Sequence, residues 1–445
     1  MMLSVFRNRI CIVVAWWICA AFTGRYAPAT AAGKNKNSHI VRGKKMLSGK
    51  CVILGVSGSI AAYKAASLAS LLKKQNCDVH VIMTENGSKF VSPMTFETLT
   101  GNKCIVDTFD RDFKHEVTHV SLAKKADLII VAPATANVIA KFACGIADDM
   151  LTTTVLASKA VKIVSPAMNT NMYENPVTQE NLAKLKSLGF NIVEPATGLL
   201  ACGDVGSGKM PEPEVLMEHV LYHLSPKKDL AGKKVIVTAG PTQEAIDPVR
   251  FISNHSTGKM GYALARACAH RGADVVLITG KTSLEPPLFT TVVPVTSAED
   301  MYNAVMDQFD DADIVFKAAA VADFTPAVTH EDKVKKSSAA GETAMNLELK
   351  RTKDILASLG SIKKPGQVLC GFSMETRDLL ENSRAKLEKK NLDLIIANNL
   401  RTEGAGFGTD TNVVTVITKD GHRELPQLSK LAVSNLVIDE AMKFL

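Results

Sequence analysis

The sequence predicts an α/β protein with two parallel-sheet domains, on three observations. A short β-rich run, an amphipathic helical pattern and another β-rich run follow one another near residue 51 and again near residue 233. A polar, turn-rich stretch, "YHLSPKKDLAGKK", separates these two halves. The halves are not sequence repeats of each other. Because strands covered by helices on both faces have continuous apolar runs, each half is typical of a parallel sheet.

Each element can be assigned in chain order. The first half begins with the strand "CVILGV" at 51–56, the helix "IAAYKAASLASLLKKQ" and the strand "DVHVIMT". The second half begins with the strand "KKVIVTAG" at 233–240, the helix "GKMGYALARACAHRG" and the strand "ADVVLITG". We place a boundary near residue 226, which predicts a leader over 1–45 and two domains over 46–226 and 227–445.

The leader carries the basic excess of the chain. The formal net charge is +7, and residues 1–45 hold eight Lys or Arg and no acid, so the remaining residues sum to −1. The body therefore gives no electrostatic argument for nucleic-acid binding. Basic residues, an apolar run and "APATAA" follow the order of a secretory signal, while an organelle presequence or an unused start upstream of Met46 explains them equally. The apolar run is short for a membrane span.

The nine cysteines indicate a reducing compartment. They are scattered without a C-x-x-C pair, so the sequence predicts neither a disulfide framework nor a zinc site. We expect the body to be cytoplasmic, with no stable membrane span, and leave the status of the leader open.

The stretch "ACGDVGSGKMP" at 201–211 imitates a phosphate-binding P-loop. A P-loop needs Ser or Thr after its lysine to hold magnesium, and a helix that begins there. Met210 takes the hydroxyl position, and Pro211 and Pro213 interrupt any continuing helix. The sequence therefore predicts another role for this loop. Cys202 beside Gly203, Gly206 and Gly208 suggests a mobile lid that delivers a proton, although a buried free thiol is the simpler interpretation.

Two further candidate site residues lie next to predicted strands. His119 lies before the strand "DLIIVAPA", and Asn169 lies in a turn directly after a strand, where α/β sheets bind ligands. Taken singly, a packed histidine and a structural turn explain them as well. The glycine-rich turn near 253–262 also resembles that of short-chain dehydrogenases, but none of the six tyrosines has a lysine four positions later.

Taken together, the motifs resemble known families. "GSIAAYK", "PATAN", "PAMNTNMY" and "LACGDVGSGKM" resemble the flavin-dependent cysteine decarboxylases. "TAGPTQEAIDPVRFISNHSTGKMG", "KAAAVADF", "KVKK", "GFSMET" and "NLDLIIANN" resemble phosphopantothenate–cysteine ligase. Their order over residues 47–445 is similar to that of the bacterial bifunctional coenzyme A biosynthesis family. The resemblance implies a flavodoxin-like first domain, a Rossmann-like second domain and a homo-oligomer.

For the first domain, the resemblance implies an FMN-dependent decarboxylation. Loss of carbon dioxide from this carboxylate needs an electron sink, which a cofactor supplies. The family implies that the cysteine side chain is oxidised to a thioaldehyde before the carboxylate leaves. His119 is then the base, Asn169 binds the substrate carboxylate and Cys202 donates the final proton. The implied FMN contacts are Gly58, Ser59, Thr84, Thr135 and Asn137.

For the second domain, the resemblance implies that CTP and Mg²⁺ activate 4'-phosphopantothenate as an acyl-cytidylate, from which cysteine displaces CMP. Arg250 and Asn254 match residues that handle this acyl intermediate. Metal ligands are not assigned, since Mg²⁺ is expected to be held through the CTP phosphates. The implied CTP contacts are Lys317, Ala318, Ala319, Asp323, Lys333, Lys353, Asp354, Ile355, Leu356, Phe372, Lys386 and Lys390.

Four positions depart from the family pattern. Tyr173 replaces a common Trp, Lys209 a common Arg, Thr257 a usual Ser and Lys353 a usual Pro. None removes an implied catalytic group. Two other functions remain open: a flavin-dependent decarboxylase of another C-terminal cysteine peptide, and a non-catalytic flavin-binding regulatory subunit. The complete ligase half disfavours the first, and His119, Asn169 and Cys202 together disfavour the second.

Overall fold

The computed structural model describes residues 46–109, 117–199, 203, 205–334, 346–375, 379–399, 406 and 408–445. The predicted leader and Cys202 lie outside these ranges. Within them, no helix combines the length and apolar character that a membrane crossing requires. The six cysteines among the described residues are all free, as predicted.

The first half of the chain builds a five-stranded parallel sheet. Its strands are β1 (Cys51–Val56), β2 (Asp78–Met83), β3 (Leu128–Ala134), β4 (Val161–Pro166) and β5 (Phe190–Ile192). Their spatial order, β2-β1-β3-β4-β5, is the flavodoxin-like order, which confirms the predicted fold of this half. The helices are α1 (Ala62–Lys74), α2 (Glu85–Ser88), α3 (Pro93–Thr100), α4 (Thr118–Lys125), α5 (Ala136–Cys144), α6 (Met150–Ala157), α7 (Thr170–Glu174), α8 (Pro176–Ser187) and α9 (Pro213–Leu224).

An antiparallel hairpin, β6 (Ala196–Leu199) and β7 (Val205–Lys209), lies between β5 and α9. The lysine of the apparent P-loop, Lys209, is thus the last residue of a strand and not the start of a helix. Met210 is 1% exposed and belongs to the hydrophobic core. The structure therefore confirms that this stretch is not a phosphate-binding P-loop.

The second half builds an eight-stranded sheet with a short hairpin inserted after its first strand. Its strands are β8 (Lys234–Ala239), β11 (Asp274–Thr279), β12 (Thr291–Pro294), β13 (Ile314–Lys317), β16 (Val368–Glu375), β17 (Leu394–Asn399), β19 (Val414–Thr418) and β20 (Gly421–Glu424). Six of them are parallel, in the order β12-β11-β8-β13-β16-β17. Strands β19 and β20 extend the β17 edge in antiparallel pairing. The parallel part has the Rossmann order, which confirms the second predicted fold.

The remaining elements flank this sheet. The inserted hairpin is β9 (Gln243–Ala245) with β10 (Phe251–Ser253), and two other small pairs are β14 (Phe324–Pro326) with β15 (Leu349–Arg351) and β18 (Thr411–Asn412) with β21 (Leu428–Ser429). The helices are α10 (Lys259–His270), α11 (Ala298–Phe309), α12 (Ile355–Ile362), α13 (Leu379–Lys389) and α14 (Lys430–Ala441), with a final 3₁₀ turn at Met442–Phe444.

Each sheet has a hydrophobic cluster on both faces. In β1, Leu54 packs in one cluster and Ile53 in the other, because successive strand side chains point to opposite faces. In β8, Val235 and Ile236 divide in the same way. This two-sided burial is the reason that the strands have continuous apolar runs.

Candidate active sites

The first candidate site lies where the strand order of the first sheet reverses. The chain leaves β1 toward β2 on one side, and β3 pairs with β1 on the other, so a crevice opens at the carboxyl ends of β1 and β3. Ser57 joins these two ends. Its Oγ donates to Pro133 O at 2.8 Å and accepts from the backbone N of Thr135 at 3.0 Å.

The five residues implied as flavin contacts lie around these strand ends, at β1, β2 and β3. Thr84 Oγ1 accepts from Gly87 N at 3.1 Å, and Thr135 Oγ1 from Val138 N at 3.5 Å, so both threonines cap helices. Asn137 is exposed in the first turn of α5. At Gly58, an added Cβ would lie 2.6 Å from Asn86 Cβ. The glycine is therefore required by this packing, independently of any ligand.

A cavity of about 460 Å³ lies beside this crevice. It includes Ser59 and Asn169, two of the predicted site residues, and the start of α1. Its volume falls within the range of about 300–1,000 Å³ that small-molecule sites occupy. Apolar walls and a helix N-terminus suit a ligand with a planar apolar ring and an anionic group, so the site fits a flavin mononucleotide. The lining residues are Ser59, Ile60, Ala61, Tyr63, Lys64, Ala167, Met168, Asn169, Leu199, Gly208, Lys209 and Met210.

Strand β7 packs directly on the turn that carries Asn169. Met168 N donates to Gly208 O at 3.0 Å. An added Cβ at Gly208 would lie 2.3 Å from Met168 O, and one at Gly206 would lie 2.6 Å from Thr170 Oγ1. The expectation that these two glycines serve mobility is therefore not what the structure shows. Gly208 permits a close approach of two backbones and has a φ of +126°, and Gly206 leaves room for the Thr170 side chain.

Of the other two predicted catalytic groups of this half, one does not line this cavity and the other lies outside the described residues. His119 is half-buried in the first turn of α4 and is not among the lining residues. Cys202 lies outside the described residues. Tyr173, the aromatic residue that replaces Trp, donates from its hydroxyl to Glu194 Oε2 at 2.9 Å. Burial, with a further contribution from that carboxylate, raises the pKa of Tyr173 to about 12.

The second candidate site consists of two adjoining cavities of about 500 and 370 Å³, called here the large and the small ligase-half cavity. They lie between β8 and β13, where the strand order of the second sheet reverses, and the N-terminus of α10 lines the large cavity there. Eleven of the twelve residues implied as CTP contacts line one or both cavities: Lys317, Ala318, Ala319, Asp323, Lys353, Asp354, Ile355, Leu356, Phe372, Lys386 and Lys390.

Charged groups meet where the two cavities join. Lys317, Asp323 and Lys390 line both of them. Burial, with a further contribution from the nearby Lys390, lowers the pKa of Lys317 to about 8. Asp354 Oδ2 lies 2.8 Å from Lys390 Nζ. Burial opposes ionisation of Asp354, but the hydrogen bonds from Lys390 and from Ala357 N, together with the charges of Lys390 and Lys317, outweigh burial and lower the pKa of that carboxyl.

Lys353 has local partners where the family usually has Pro. Its Nζ lies 3.4 Å from Glu299 Oε1 and 4.8 Å from the centre of the Tyr302 ring. Half-exposed contacts of this kind are weak, so they leave the ammonium available to a ligand in the small cavity.

Only one of the two predicted acyl-handling residues lines the large cavity. Asn254 lines this cavity, and its Nδ2 donates to Ala320 O at 3.0 Å. Arg250 is held outside by the fully buried Asp247, to which Nε donates at 3.0 Å, and by Val334 O at 2.8 Å. Asp247 also accepts from Val334 N, so it fixes the loop that carries the exposed Lys333. Lys333 is the one predicted CTP contact that does not line either cavity.

Four of the polar residues of the large cavity that the sequence did not suggest come from strands β17 and β18 and helices α10 and α14. Asn398 is 6% exposed, and its Oδ1 has no hydrogen-bond partner among the described residues, so it is a free acceptor at the cavity wall. The quoted motif "NLDLIIANN" contains it, but an apolar strand ending in Asn gave no reason to single it out. The others are Lys259, Asn412 and Lys430.

A separate cluster at the amino ends of β1 and β2 has metal-ligating residue types. Ligand atoms of Cys51, Asp78 and His80 all lie within 4.8 Å of one another. Lys125 Nζ, however, lies 2.7 Å from Asp78 Oδ2 and 3.0 Å from His80 Nε2. Burial raises the pKa of the Cys51 thiol to about 11. A cation would have to displace an ammonium and bind a protonated thiol, so we assign no metal to this cluster.

Comparison with known proteins finds relatives over nearly the whole body of the chain. The Flavoprotein family matches residues 40–225, and the DNA/pantothenate metabolism flavoprotein C-terminal domain matches residues 230–445. Coenzyme A biosynthesis bifunctional protein CoaBC of Bacillus subtilis is 51% identical over 89% of this chain and 97% of its own length.

Other relatives carry the same name. CoaBC of Vibrio vulnificus is 45% identical over 88% of this chain and 98% of its own length, and that of Escherichia coli is 40% identical over 88% and 97%. Among solved structures, the C-terminal domain of a CoaBC protein is 42% identical, with a TM-score of 0.41, over 48% of this chain and 97% of that domain.

Proposed function

Because the chain belongs to the family of bifunctional coenzyme A biosynthesis proteins, flavoenzymes with a ligase and a decarboxylase activity, we propose how each half contributes. Residues 227–445 form the ligase domain, which joins cysteine to 4'-phosphopantothenate through an acyl-cytidylate and consumes CTP with Mg²⁺. Residues 46–226 form the decarboxylase domain, which converts the product to 4'-phosphopantetheine with FMN. The observation that supports the assignment most is that eleven of the twelve implied CTP contacts line two adjoining cavities.

In the ligase domain, the charge at the junction of the two cavities suits a nucleoside triphosphate. Lys317, Lys386 and Lys390 would offset the negative charge of the phosphates, and Asp323 would face an accompanying Mg²⁺ ion. Asn254, which lines the large cavity, would stabilise the acyl group. Arg250, held by Asp247, would act on the acyl intermediate only after a rearrangement of the 331–334 loop, which also carries Lys333.

In the decarboxylase domain, Ser59 and the α1 N-terminus would hold the phosphate of FMN, with Thr84, Thr135 and Asn137 along the strand ends. Bound FMN would supply the oxidation of the cysteine side chain and return the electrons at the end. Asn169 binds the substrate carboxylate, and Lys209 adds positive charge to the same wall. His119 takes a proton in the oxidation, and Cys202 donates one in the final reduction.

We also propose that the protein works as a homo-oligomer. His119 does not line the cavity of its own chain, whereas the large apolar side chains of Ile60 and Tyr63, 59% and 60% exposed, lie beside that cavity. A neighbouring copy that covers these side chains would also bring a second His119 to the region. Sedimentation of the full chain tests this proposal, and a monomer with full decarboxylase activity would contradict it.

The experiment that tests the two chemical steps uses the full chain with phosphopantothenate, cysteine, Mg²⁺ and CTP, and identifies products by mass spectrometry. We expect phosphopantetheine and CMP. Phosphopantothenoylcysteine as the only product would support the ligase proposal and contradict the FMN-dependent step. No conversion, with ATP also tried, would contradict the ligase proposal.

A second experiment separates the decarboxylase from the two alternative functions. Synthetic phosphopantothenoylcysteine and unrelated peptides with a C-terminal cysteine are supplied without CTP. Turnover of the first alone supports the proposal. Equal turnover of the peptides would favour a broader decarboxylase, and flavin binding without turnover of either would favour a regulatory subunit.

A further inference from the structure

Lys64 is a buried lysine beside the proposed flavin cavity to which nothing above gives a role. It is the third residue of α1, and its side chain is only 8% exposed. Its Nζ donates to Met210 O at 3.1 Å and to Glu212 Oε1 at 2.7 Å. The carboxylate of Glu212 is 62% exposed, whereas the bond to Met210 O is buried.

These two bonds fix the point where the hairpin β6–β7 rejoins the body of the domain. Met210 directly follows β7, whose last residues, Gly208 and Lys209, line the cavity. Gly208 O accepts from Met168 N at 3.0 Å, one residue before Asn169. The end of β7 is therefore attached on one side to the Asn169 turn and on the other side to α1.

Burial of an ammonium has an energetic cost that a methionine of similar shape would avoid, so a buried ion pair by itself is a poor source of stability. Its geometry is specific, however, because an ammonium that has left water must keep its acceptors. In this protein one acceptor is a single backbone carbonyl next to the cavity wall. A side chain of this kind determines position more than it determines folding.

We propose that Lys64 is a positioning residue of the decarboxylase domain, which holds the end of β7 so that Lys209 and the Asn169 turn face the substrate in a fixed arrangement. The turn that precedes the same helix, residues 59–61, also lines the cavity. Lys64 thus connects the wall proposed for the flavin phosphate with the wall proposed for the substrate carboxylate. This inference rests on the proposed function of the cavity.

The test compares Lys64→Met with two matched variants in the full chain loaded with FMN. Lys162→Met removes another half-buried lysine of the same domain, whose Nζ also donates to backbone carbonyls, those of Ser158 and Ala160, but at the amino end of β4. Glu212→Gln removes the charge of the exposed acceptor and leaves the bond to Met210 O. Flavin absorbance reports whether the decarboxylase domain of each variant is folded, and ligase turnover in the same chain shows that the other half is unaffected.

For Lys64→Met, we expect decarboxylation of phosphopantothenoylcysteine to fall about 10- to 100-fold, mostly in kcat, with flavin absorbance and ligase turnover unchanged. Amide hydrogen exchange should rise at residues 205–210 and not in α1. Lys162→Met and Glu212→Gln should stay within about threefold of the unmodified chain. Lys64→Arg, which keeps a donor, should recover part of kcat.

Unchanged kcat and amide exchange in Lys64→Met would overturn the inference, as would a loss equally large in Glu212→Gln or a loss explained by missing flavin. If Lys64→Met fails to fold, the kcat of Lys64→Arg tests the inference instead. A reduced decarboxylation kcat with normal flavin absorbance supports positioning, and a kcat equal to that of the unmodified chain overturns it. An unmodified chain that does not decarboxylate the substrate at all would contradict the proposed function instead.

Discussion

Asp354 and Lys390 meet at the edge of the small ligase-half cavity, with Oδ2 and Nζ 2.8 Å apart. The same carboxylate caps α12 by accepting from Ala357 N at 3.1 Å. One side chain therefore fixes both the start of a helix and the position of a cation that faces the proposed triphosphate.

Replacement of Asp354 by Asn should separate these two tasks. The Asn side chain still caps α12, but Lys390 loses its ion-pair partner. We expect KM for CTP to rise about tenfold, which corresponds to about 1.4 kcal/mol, with decarboxylation unchanged. Asp310→Asn, which breaks an exposed pair with Lys364 outside the cavities, is the control. Equal effects of the two substitutions on KM would rule out a specific role of Asp354.

Ligase activity should depend on the charge of Lys317. Because the pKa of Lys317 is lowered to about 8, its ammonium is charged below pH 8 and neutral above it. Affinity for CTP should fall as pH rises from 7 to 9, by up to about tenfold. The Arg side chain of Lys317→Arg stays charged over this range, so the affinity of that variant for CTP should not fall between pH 7 and 9. Calorimetric titration at several pH values measures the dependence, and an identical pH profile in both proteins would contradict it.

The lowered pKa of Lys317 also has a consequence for stability, with a definite sign. Between about pH 8 and the ordinary lysine pKa near 10.4, the unfolded chain binds more protons than the folded one. The contribution of this group to stability therefore increases with pH across that window. Denaturant titrations should show a smaller pH-dependent increase for Lys317→Met than for the unmodified chain.

Asn254→Asp should impair the capture of cysteine. The substitution removes the amide donor to Ala320 O and introduces a negative charge at the cavity wall. We expect the overall ligase rate to fall about 100-fold or more while the acyl-cytidylate accumulates. Asn435→Asp changes an amide that donates to Leu431 O in α14, away from both cavities, and serves as the control. Normal turnover of Asn254→Asp would exclude the proposed role.

Cys202→Ser should uncouple the two halves. Ligase turnover should be intact, and decarboxylation should stop after the loss of carbon dioxide, because serine is a far weaker proton donor than cysteine at this step. Mass spectrometry would then detect a product two hydrogens short of phosphopantetheine. Free phosphopantetheine formed at an unaltered rate would disprove the assignment of Cys202 as the donor.

The fold could be predicted from sequence because its signals are local. Continuous apolar strands such as β1 and β8 and the helices between them lie within a residue or two of the predicted bounds. Prediction of the strand orders depended on the family resemblance, because an apolar run does not show which other strand pairs with it. Asn254 and Lys390, which the same resemblance implied as site residues, both line the large cavity.

What the sequence could not predict depends on contacts between distant segments. The sequence suggested that Gly208 serves mobility, but its backbone contacts that of Met168, which lies 40 residues away in sequence. Gly208 therefore serves close packing. Lys64 looked like one polar residue of an amphipathic helix, and only its contact with Met210 shows that it is buried. Arg250 looked free for a substrate, because nothing in the sequence indicates that Asp247 is buried beneath it.

No described residue lines both the decarboxylase cavity and the ligase-half cavities. In the proposed reaction sequence, the intermediate would leave one site before it enters the other, and the two sites would not need to belong to the same polypeptide. A chain inactivated at Asn169 and a chain inactivated at Lys390, each unable to complete the sequence alone, should together restore it when mixed or expressed in one cell. In genetic terms, mutations in the two halves should behave as two complementation groups within a single gene.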